Sequence, residues 1–168
     1  MITKKICLLG TVCVGKTSLV RRFVSSTFSD RYLTTIGVKI DKKTLFHDQS
    51  EVQLVVWDIQ GEDRYHKILL SYLRGLSGYV LVIDSTRRET LEVAQVLHNR
   101  VQEMFPGMPY VVVLSKCDLV QDPQLHHDVA HLGENACATL RTSALTGEGV
   151  DEAFEALTAG MLSLKLTG

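Results

Sequence analysis

The 168-residue sequence has no long hydrophobic run and no leader-like segment at its start. Its longest apolar runs, Tyr79 to Ile83 and Tyr110 to Leu114, are far shorter than the ~18 residues that a membrane-spanning helix needs. The first residues lead directly into a strand-like run and lack the apolar core and small-residue cleavage site of a secretory signal. We therefore predict a cytoplasmic protein without a membrane span.

The sequence is also poor in proline and has no excess of either charge. Eighteen basic and nineteen acidic residues leave a net charge of −1, so bulk charge gives no reason to expect nucleic acid as a partner. The chain has only three prolines and no Gly/Ser-rich linker, which predicts a single domain over residues 1–168. The four cysteines show no C-x-x-C spacing, so we expect neither a disulfide framework nor a zinc site.

Short apolar runs rich in β-branched residues alternate with helical periodicity. These apolar runs are Ile6 to Leu9, Val52 to Trp57, Tyr79 to Ile83 and Tyr110 to Leu114, and a further strand is expected at Ala138 to Arg141. Helical spacing recurs over Leu91 to Met104, Leu125 to Leu132 and Val150 to Leu164. Continuous apolar strands are typical of sheets covered on both faces, so this alternation predicts an α/β fold with a mostly parallel sheet.

A sixth strand is predicted at one edge of the sheet. Val38 to Phe46 and Val52 to Trp57 are joined by the polar turn His47 to Ser50, which indicates a hairpin and therefore one antiparallel pair. Lysines and an aspartate along the first of these runs are typical of a charged edge strand. Ligands of such sheets bind at the carboxyl ends of the strands, so the residues that follow each strand are the candidates for a site.

The first strand is followed by Gly10-Thr11-Val12-Cys13-Val14-Gly15-Lys16-Thr17, which matches the phosphate-loop pattern G-x-x-x-x-G-K-[ST]. In such a loop, backbone N–H groups and the N-terminus of the next helix face phosphate oxygens. Lys16 supplies a positive charge for the β- and γ-phosphates, and the Thr17 hydroxyl is a ligand for Mg²⁺. The predicted nucleotide contacts here are Val12, Cys13, Val14, Gly15, Lys16, Thr17 and Ser18.

The strand Val52 to Trp57 runs into Asp58-Ile59-Gln60-Gly61. A carboxylate at this strand end can hold the water shell of a magnesium ion, and the Gly61 N–H can donate to a terminal phosphate. The D-x-x-G pattern is weakly specific by itself, and it gains meaning only beside the phosphate loop.

Two further strand ends indicate a guanine site. The segment Ser115-Lys116-Cys117-Asp118-Leu119 places a carboxylate where it can accept from both N1–H and the exocyclic amine of guanine, a donor pair that adenine lacks. The segment Thr142-Ser143-Ala144-Leu145 offers the Ala144 N–H to the guanine carbonyl. The predicted base contacts are Ser115, Lys116, Asp118, Leu119, Ser143, Ala144 and Leu145.

In their order and spacing, these motifs resemble those of the Ras superfamily of small GTPases, in the style of its Rab branch, over residues 4 to 162. The resemblance implies a P-loop NTPase G domain with a six-stranded sheet that binds GTP or GDP with Mg²⁺. It implies that Phe28 stacks on the base and that Thr35 joins Thr17 and Asp58 as a magnesium ligand. The implied catalytic residues are Lys16, Thr35, Gly61 and Glu62.

The resemblance also implies how the protein is used. Segments 28–38 and 59–75 correspond to the switch segments, whose order depends on the γ-phosphate, and effectors, exchange factors and GTPase-activating proteins are expected to bind there. The last residues contain no C-a-a-X box, so we expect no prenylation and no direct membrane anchor in this chain. That ending fits either a trimmed tail or an unlipidated group such as the Ras-like GTPases of prokaryotes.

Three departures from the family pattern bear on nucleotide binding or hydrolysis. Glu62 replaces the glutamine that orients the attacking water and places negative charge beside an anionic phosphoryl group, so we expect slow hydrolysis. Val12 stands where glycine is common and a side chain tends to crowd the catalytic group. Ser115 replaces an asparagine that reaches purine N7, which lowers the expected binding free energy by ~1–2 kcal/mol.

Two other functions fit parts of this pattern. A guanine-nucleotide-binding scaffold with negligible hydrolysis is consistent with Glu62, Val12 and Ser115, whereas a small-molecule kinase would not need the two base motifs. The arginine pairs Arg21-Arg22 and Arg87-Arg88 are expected to be solvated surface charges.

Overall fold

The computed structural model describes residues 1–29, 37–59, 70–119 and 122–164. In chain order these residues form β1 (Ile2–Leu9), α1 (Lys16–Ser25), β2 (Val38–His47), β3 (Ser50–Ile59), β4 (Gly78–Asp84), α2 (Thr90–Met104), β5 (Tyr110–Ser115), α3 (Pro123–Asp128), α4 (Ala130–Gly133), β6 (Ala138–Arg141) and α5 (Val150–Ser163). The strands and helices alternate as the periodicity predicts, and most strands extend one to four residues beyond their apolar runs.

The strands form one six-stranded sheet in the order β2-β3-β1-β4-β5-β6. Strands β3, β1, β4, β5 and β6 pair in parallel, and among the described residues only β2 and β3 pair antiparallel. This arrangement confirms the predicted mostly parallel sheet with an antiparallel edge strand. All five parallel strands end at the same edge, so the loops that follow them meet there.

Alternation along each central strand sorts its side chains into two hydrophobic cores, one on each face of the sheet. In β1, Ile6 and Leu8 pack into the core formed with α1 and α5, whereas Cys7 and Leu9 face the core formed with α2, α3 and α4. The stacked rings of Phe23 and Phe154 join α1 to α5 across the first core. Helices therefore cover both faces, as the continuous apolar runs predict.

The turn of the hairpin between β2 and β3 is shorter than predicted. Its strands continue to His47 and from Ser50, so the turn consists only of Asp48 and Gln49 instead of four residues. Both turn residues have positive φ, 45° and 65°, which is the geometry of a two-residue hairpin turn that matches the twist of the strands.

The predicted helix over Leu125 to Leu132 is also corrected, because the structure divides it into α3 and α4. At Val129 the ψ angle of −5° departs from the helical value near −42° and breaks the run. Leu125, Val129 and Leu132 are all buried, so the apolar stripe is where the periodicity places it.

Within residues 1–29, 37–59, 70–119 and 122–164, every helix is too short or too polar to cross a membrane.

A polar cluster on the α2 side of the sheet contains a histidine held in its neutral form. Gln102 Nε2 donates both to the Met108 carbonyl at 3.0 Å and to the Tyr79 hydroxyl at 2.9 Å. The Tyr79 hydroxyl lies 2.8 Å from Nδ1 of His98, and it can donate its proton there only while that nitrogen is unprotonated. Burial, with a smaller effect from the nearby His131, lowers the pKa of His98.

This cluster predicts a pH-dependent stability. The unfolded chain protonates His98 near pH 6.5 and the folded chain only at lower pH, so the stabilisation is complete above 6.5 and is lost as the pH falls through the folded pKa. We expect His98→Gln to reduce this acid sensitivity, measured as the free energy of unfolding in urea between about pH 7.5 and about pH 5. The control His127→Gln changes a side chain that is 84% exposed and should not alter the pH dependence. Parallel curves for the native chain and His98→Gln would contradict the prediction.

Candidate nucleotide-binding site

The loop between β1 and α1 has the backbone that its glycines predict. Gly10 is packed against β4 so closely that an added Cβ would lie 2.7 Å from the Val82 carbonyl oxygen. Gly15, at φ 104°, turns the chain into α1, and Cys13 has a positive φ of 61°. Glycine is the residue that adopts such angles without strain, whereas Cys13 must be held there by its surroundings.

Lys16 begins α1 and folds back over the same loop. Its Nζ donates to the carbonyl oxygens of Gly10 and Thr11, at 2.8 and 2.9 Å, and the residue is only 6% exposed. Burial lowers the pKa of its ammonium group to about 8, although the charge of Asp58 opposes that shift. A buried ammonium group at the start of a helix is suited to an anionic ligand, because such a ligand stabilises the charged form.

Thr17 and Asp58 meet beside the phosphate loop. The Thr17 hydroxyl donates to Oδ2 of Asp58 at 2.5 Å, and Asp58, near the end of β3, is 1% exposed. A hydroxyl and a carboxylate are oxygen donors of the kind that Mg²⁺ prefers, and this ion is commonly bound by one or two protein oxygens together with phosphates and water. The pair therefore fits the predicted magnesium site. Thr35, the third predicted ligand, lies outside the described residues.

The two predicted base loops are joined to each other. Ser143 is fully buried, and its hydroxyl donates to Oδ1 of Asp118 at 2.8 Å, which holds that exposed carboxylate in one orientation. The backbone N–H of Cys117 donates to the Thr142 carbonyl at 3.0 Å. These contacts place Asp118 beside the segment that carries Ala144, as the guanine hypothesis requires.

Ser115 connects the base side of the site to the phosphate loop. Its side chain is 3% exposed, and its hydroxyl lies 2.5 Å from the Val14 carbonyl oxygen and 3.2 Å from that of Ile83. A hydroxyl has one proton to donate, and the shorter contact commits it to Val14. Serine therefore supplies the connection between the loops, while the second amide arm of an asparagine is absent.

The expectation that Arg22 is a solvated surface charge is wrong. Its guanidinium donates to the carbonyls of Ala144 and Leu145 at 2.6 and 2.7 Å and thereby holds the predicted base loop against α1. The side chain is half-buried because the loop after β6 reaches α1 in the fold. Sequence adjacency to Arg21 gave no indication of this contact.

Asp84 is a central residue of the site that sequence reasoning missed. It ends β4, is fully buried, and accepts from Lys116 Nζ at 2.7 Å, Arg87 Nε at 3.1 Å and both the N–H and hydroxyl of Thr86. Burial alone raises the pKa of Asp84, but the hydrogen bonds from Lys116, Thr86 and Arg87 outweigh it and lower the pKa below its ordinary value. A carboxylate ending an apolar strand, as Asp58 does, was the available signal.

The same cluster shows that the expectation of a solvated charge is also wrong for Arg87, in the second arginine pair. Arg87 Nη2 donates to the Val12 carbonyl at 2.7 Å and Lys116 Nζ to the Cys13 carbonyl at 2.9 Å, so both cations reach the phosphate loop. Arg88 instead points to Asp122 and Asp128 on the surface, as expected for a solvated charge.

The remaining predicted residues differ in how the structure places them. Val14 is buried in the core beside α1 and α5, so only its backbone faces the loop. Ser18 is half-buried, and exposed side chains are found at Val12, Phe28, Leu119 and Leu145. The predicted catalytic residues Gly61 and Glu62, like Thr35, lie outside the described residues.

The similarity of this chain to known proteins covers both the phosphate loop and the predicted base motifs. A model of the Ras family matches residues 5–163. Ras-related protein Rab-4 of Dictyostelium discoideum is 32% identical over 153 residues, which cover 89% of this chain and 75% of the relative. GTP-binding protein YPT1 of Saccharomyces cerevisiae is 33% identical over 153 residues (89% and 74%), and Ras-related protein Rab-13 of Canis lupus familiaris is 31% identical over 161 residues (94% and 79%).

The geometry around Asp84 predicts a measurable loss of stability. In Asp84→Asn, one carboxylate oxygen becomes an amide donor that faces the cations Lys116 and Arg87, so we expect the free energy of unfolding to fall by about 2 kcal/mol. Urea denaturation measures the change. Asp48→Asn, in a hairpin turn where the side chain is 93% exposed, is the matched control and should change stability little. Equal stability of Asp84→Asn and the native chain would argue against the cluster.

Proposed function

Because the chain belongs to the Ras family of small GTPases, whose members are GTP-binding switch proteins, we propose that it binds GTP and GDP at the site described above and hydrolyses GTP slowly. The phosphate loop and Lys16 take the phosphates, and Asp118 with the Ala144 N–H recognises guanine. The reaction is attack of water on the γ-phosphate, with the loop N–H groups and Lys16 stabilising the charge that develops.

One observation carries this proposal: the base motif that contains Ser115 and Lys116 is hydrogen-bonded directly to the phosphate loop. Ser115 and Lys116, which precede Asp118 by three and two residues, contact the carbonyls of Val14 and Cys13 at 2.5 and 2.9 Å. A phosphate site and a carboxylate suited to guanine are thereby held at a fixed separation. That arrangement supports recognition of one ligand carrying both a guanine base and phosphates.

The proposal includes magnesium. Thr17 and Asp58, with Thr35 added by the family resemblance, would hold the ion, and a bound Mg²⁺ neutralises negative charge on the β- and γ-phosphates. The contact between the Thr17 hydroxyl and the Asp58 carboxylate supports this assignment, because two hard oxygen donors converge beside the phosphate loop.

The switch function is proposed for segments 28–38 and 59–75. The γ-phosphate would order these segments, and effectors, exchange factors and GTPase-activating proteins would bind them in a nucleotide-dependent manner. A cytoplasmic location stays a prediction from the sequence. Glu62 favours a second candidate, a nucleotide-dependent scaffold with negligible hydrolysis, because a carboxylate cannot donate to the phosphoryl group as the family glutamine does.

The guanine assignment predicts which nucleotide accompanies the protein. We expect GDP or GTP to be released from the purified native chain on denaturation and identified by chromatography. In Asp118→Asn, the amide donates where guanine also donates, so bound guanine nucleotide should be lost and xanthosine diphosphate should compete better than GDP. Asp151→Asn, an exposed change in α5, is the control. Bound ATP in the native chain, or no nucleotide at any concentration, would overturn the proposed function.

Because Glu62 replaces the family glutamine, we expect the substitution Glu62→Gln to increase the rate of GTP hydrolysis. Single-turnover hydrolysis of GTP with Mg²⁺ should be at least tenfold faster in Glu62→Gln than in the native chain, because the amide both accepts from water and donates to the phosphoryl oxygens. A measurable slow rate in the native chain supports the GTPase, and bound GTP without turnover supports the scaffold. An unchanged or lower rate in Glu62→Gln would show that Glu62 is not the cause of slow hydrolysis.

A further inference from the structure

Three successive carbonyl groups of the phosphate loop are held by side chains from outside it. The carbonyl of Val12 accepts from Arg87 Nη2 at 2.7 Å, and that of Cys13 accepts from Lys116 Nζ at 2.9 Å. The next carbonyl, of Val14, accepts from the Ser115 hydroxyl at 2.5 Å. Two of the donors, Ser115 and Lys116, belong to the predicted guanine motif and connect it to the phosphate loop, whereas Arg87 lies in the separate segment between β4 and α2.

The orientation of these carbonyls determines the orientation of the amide groups. In a planar trans peptide the C=O and the following N–H point in opposite directions, and the described residues contain no cis peptide. A carbonyl drawn outward to a side chain therefore directs the next N–H to the other side of the chain. The N–H groups of Cys13, Val14 and Gly15 are the ones controlled in this way, and they belong to the predicted phosphate-binding loop.

Arg87 is itself held rigidly. Its Nε bonds to Asp84 at 3.1 Å while Nη2 reaches the Val12 carbonyl, so two arms of one planar guanidinium bridge a carboxylate and the loop. Asp84 is fully buried, and the Arg87 side chain is 34% exposed. A lysine has a single ammonium group on a flexible chain and cannot reproduce this fixed fork. The bond to Val12 is charge-assisted, which makes it stronger than a bond between neutral groups.

We propose that Arg87, anchored by Asp84, is a positioning residue for nucleotide binding that fixes the Val12–Cys13 peptide so that the Cys13 N–H faces the bound phosphates. The inference rests on the proposed function, because it assumes that the loop binds a nucleoside diphosphate. It goes further because it assigns one of the three side-chain donors to the phosphate-loop carbonyls to a residue outside the phosphate and base motifs. Removing Arg87 should free that peptide to rotate and speed the loss of nucleotide.

The dissociation rate of GDP tests the proposal directly. The native chain is loaded with a fluorescent GDP analogue in the presence of Mg²⁺ and chased with excess GDP. We expect release about tenfold faster from Arg87→Ala, the change for loss of one charge-assisted hydrogen bond, and a smaller increase from Arg87→Lys. Arg88→Ala removes the neighbouring arginine, which pairs with Asp122 on the surface, and should stay within about twofold of the native rate.

Amide spectra separate positioning from general destabilisation. In ¹⁵N-labelled GDP complexes, Arg87→Ala should shift the amide resonances of Cys13 and Val14 while those of α5 stay in place, and Arg87→Lys should shift them less. If Arg87→Ala does not fold, Arg87→Lys provides the same comparison against Arg88→Ala. Unchanged GDP release and unchanged loop amides in the Arg87 variants would overturn this inference alone. A native chain that binds no GDP would instead overturn the proposed function and this inference with it.

Discussion

The buried carboxylate of Asp84 is the group on which the geometry of the site edge depends. Taking a charged group out of water is costly unless cations and hydrogen bonds replace the lost solvation. Here Lys116, Arg87 and Thr86 do so, and together they hold the pKa of Asp84 below its ordinary value. The same two cations reach onward to the phosphate loop. A sheet residue thus fixes the position of two loops that are distant in sequence.

Around this edge of the sheet, several cationic side chains donate hydrogen bonds to backbone carbonyls. Lys16 holds the carbonyls at the start of the phosphate loop, Arg87 and Lys116 hold those in its middle, and Arg22 holds those of the segment Ala144–Leu145. Carbonyls occupied in this way leave the opposite N–H groups available to an anion. The net charge of −1 is therefore no guide to the site, because its positive character comes from a few placed cations and oriented amides.

The sequence predicted the fold well because its signals are local. Apolar runs predicted the four central strands β3, β1, β4 and β5, and the charged run at 38–46 predicted the edge strand β2, since both patterns depend on which side chains a strand can bury. The errors occur where one residue's backbone angle decides the outcome. The turn at Asp48-Gln49 and the break at Val129 depend on φ and ψ values that composition does not encode.

In the candidate site, the phosphate loop, the magnesium ligands Thr17 and Asp58 and the two base motifs were predicted from the sequence, because each rests on a short motif at a strand end. The hydrogen bond between Ser143 and Asp118 and the contacts of Arg22, Asp84 and Arg87 emerge only from the folded chain. The partners of Arg22, Asp84 and Arg87 lie between 2 and 123 positions away along the chain, and an arginine pair looks the same in sequence whether it faces water or a carbonyl. Which of the two it faces depends on how the sheet order brings the loops after β1, β4 and β6 to one edge.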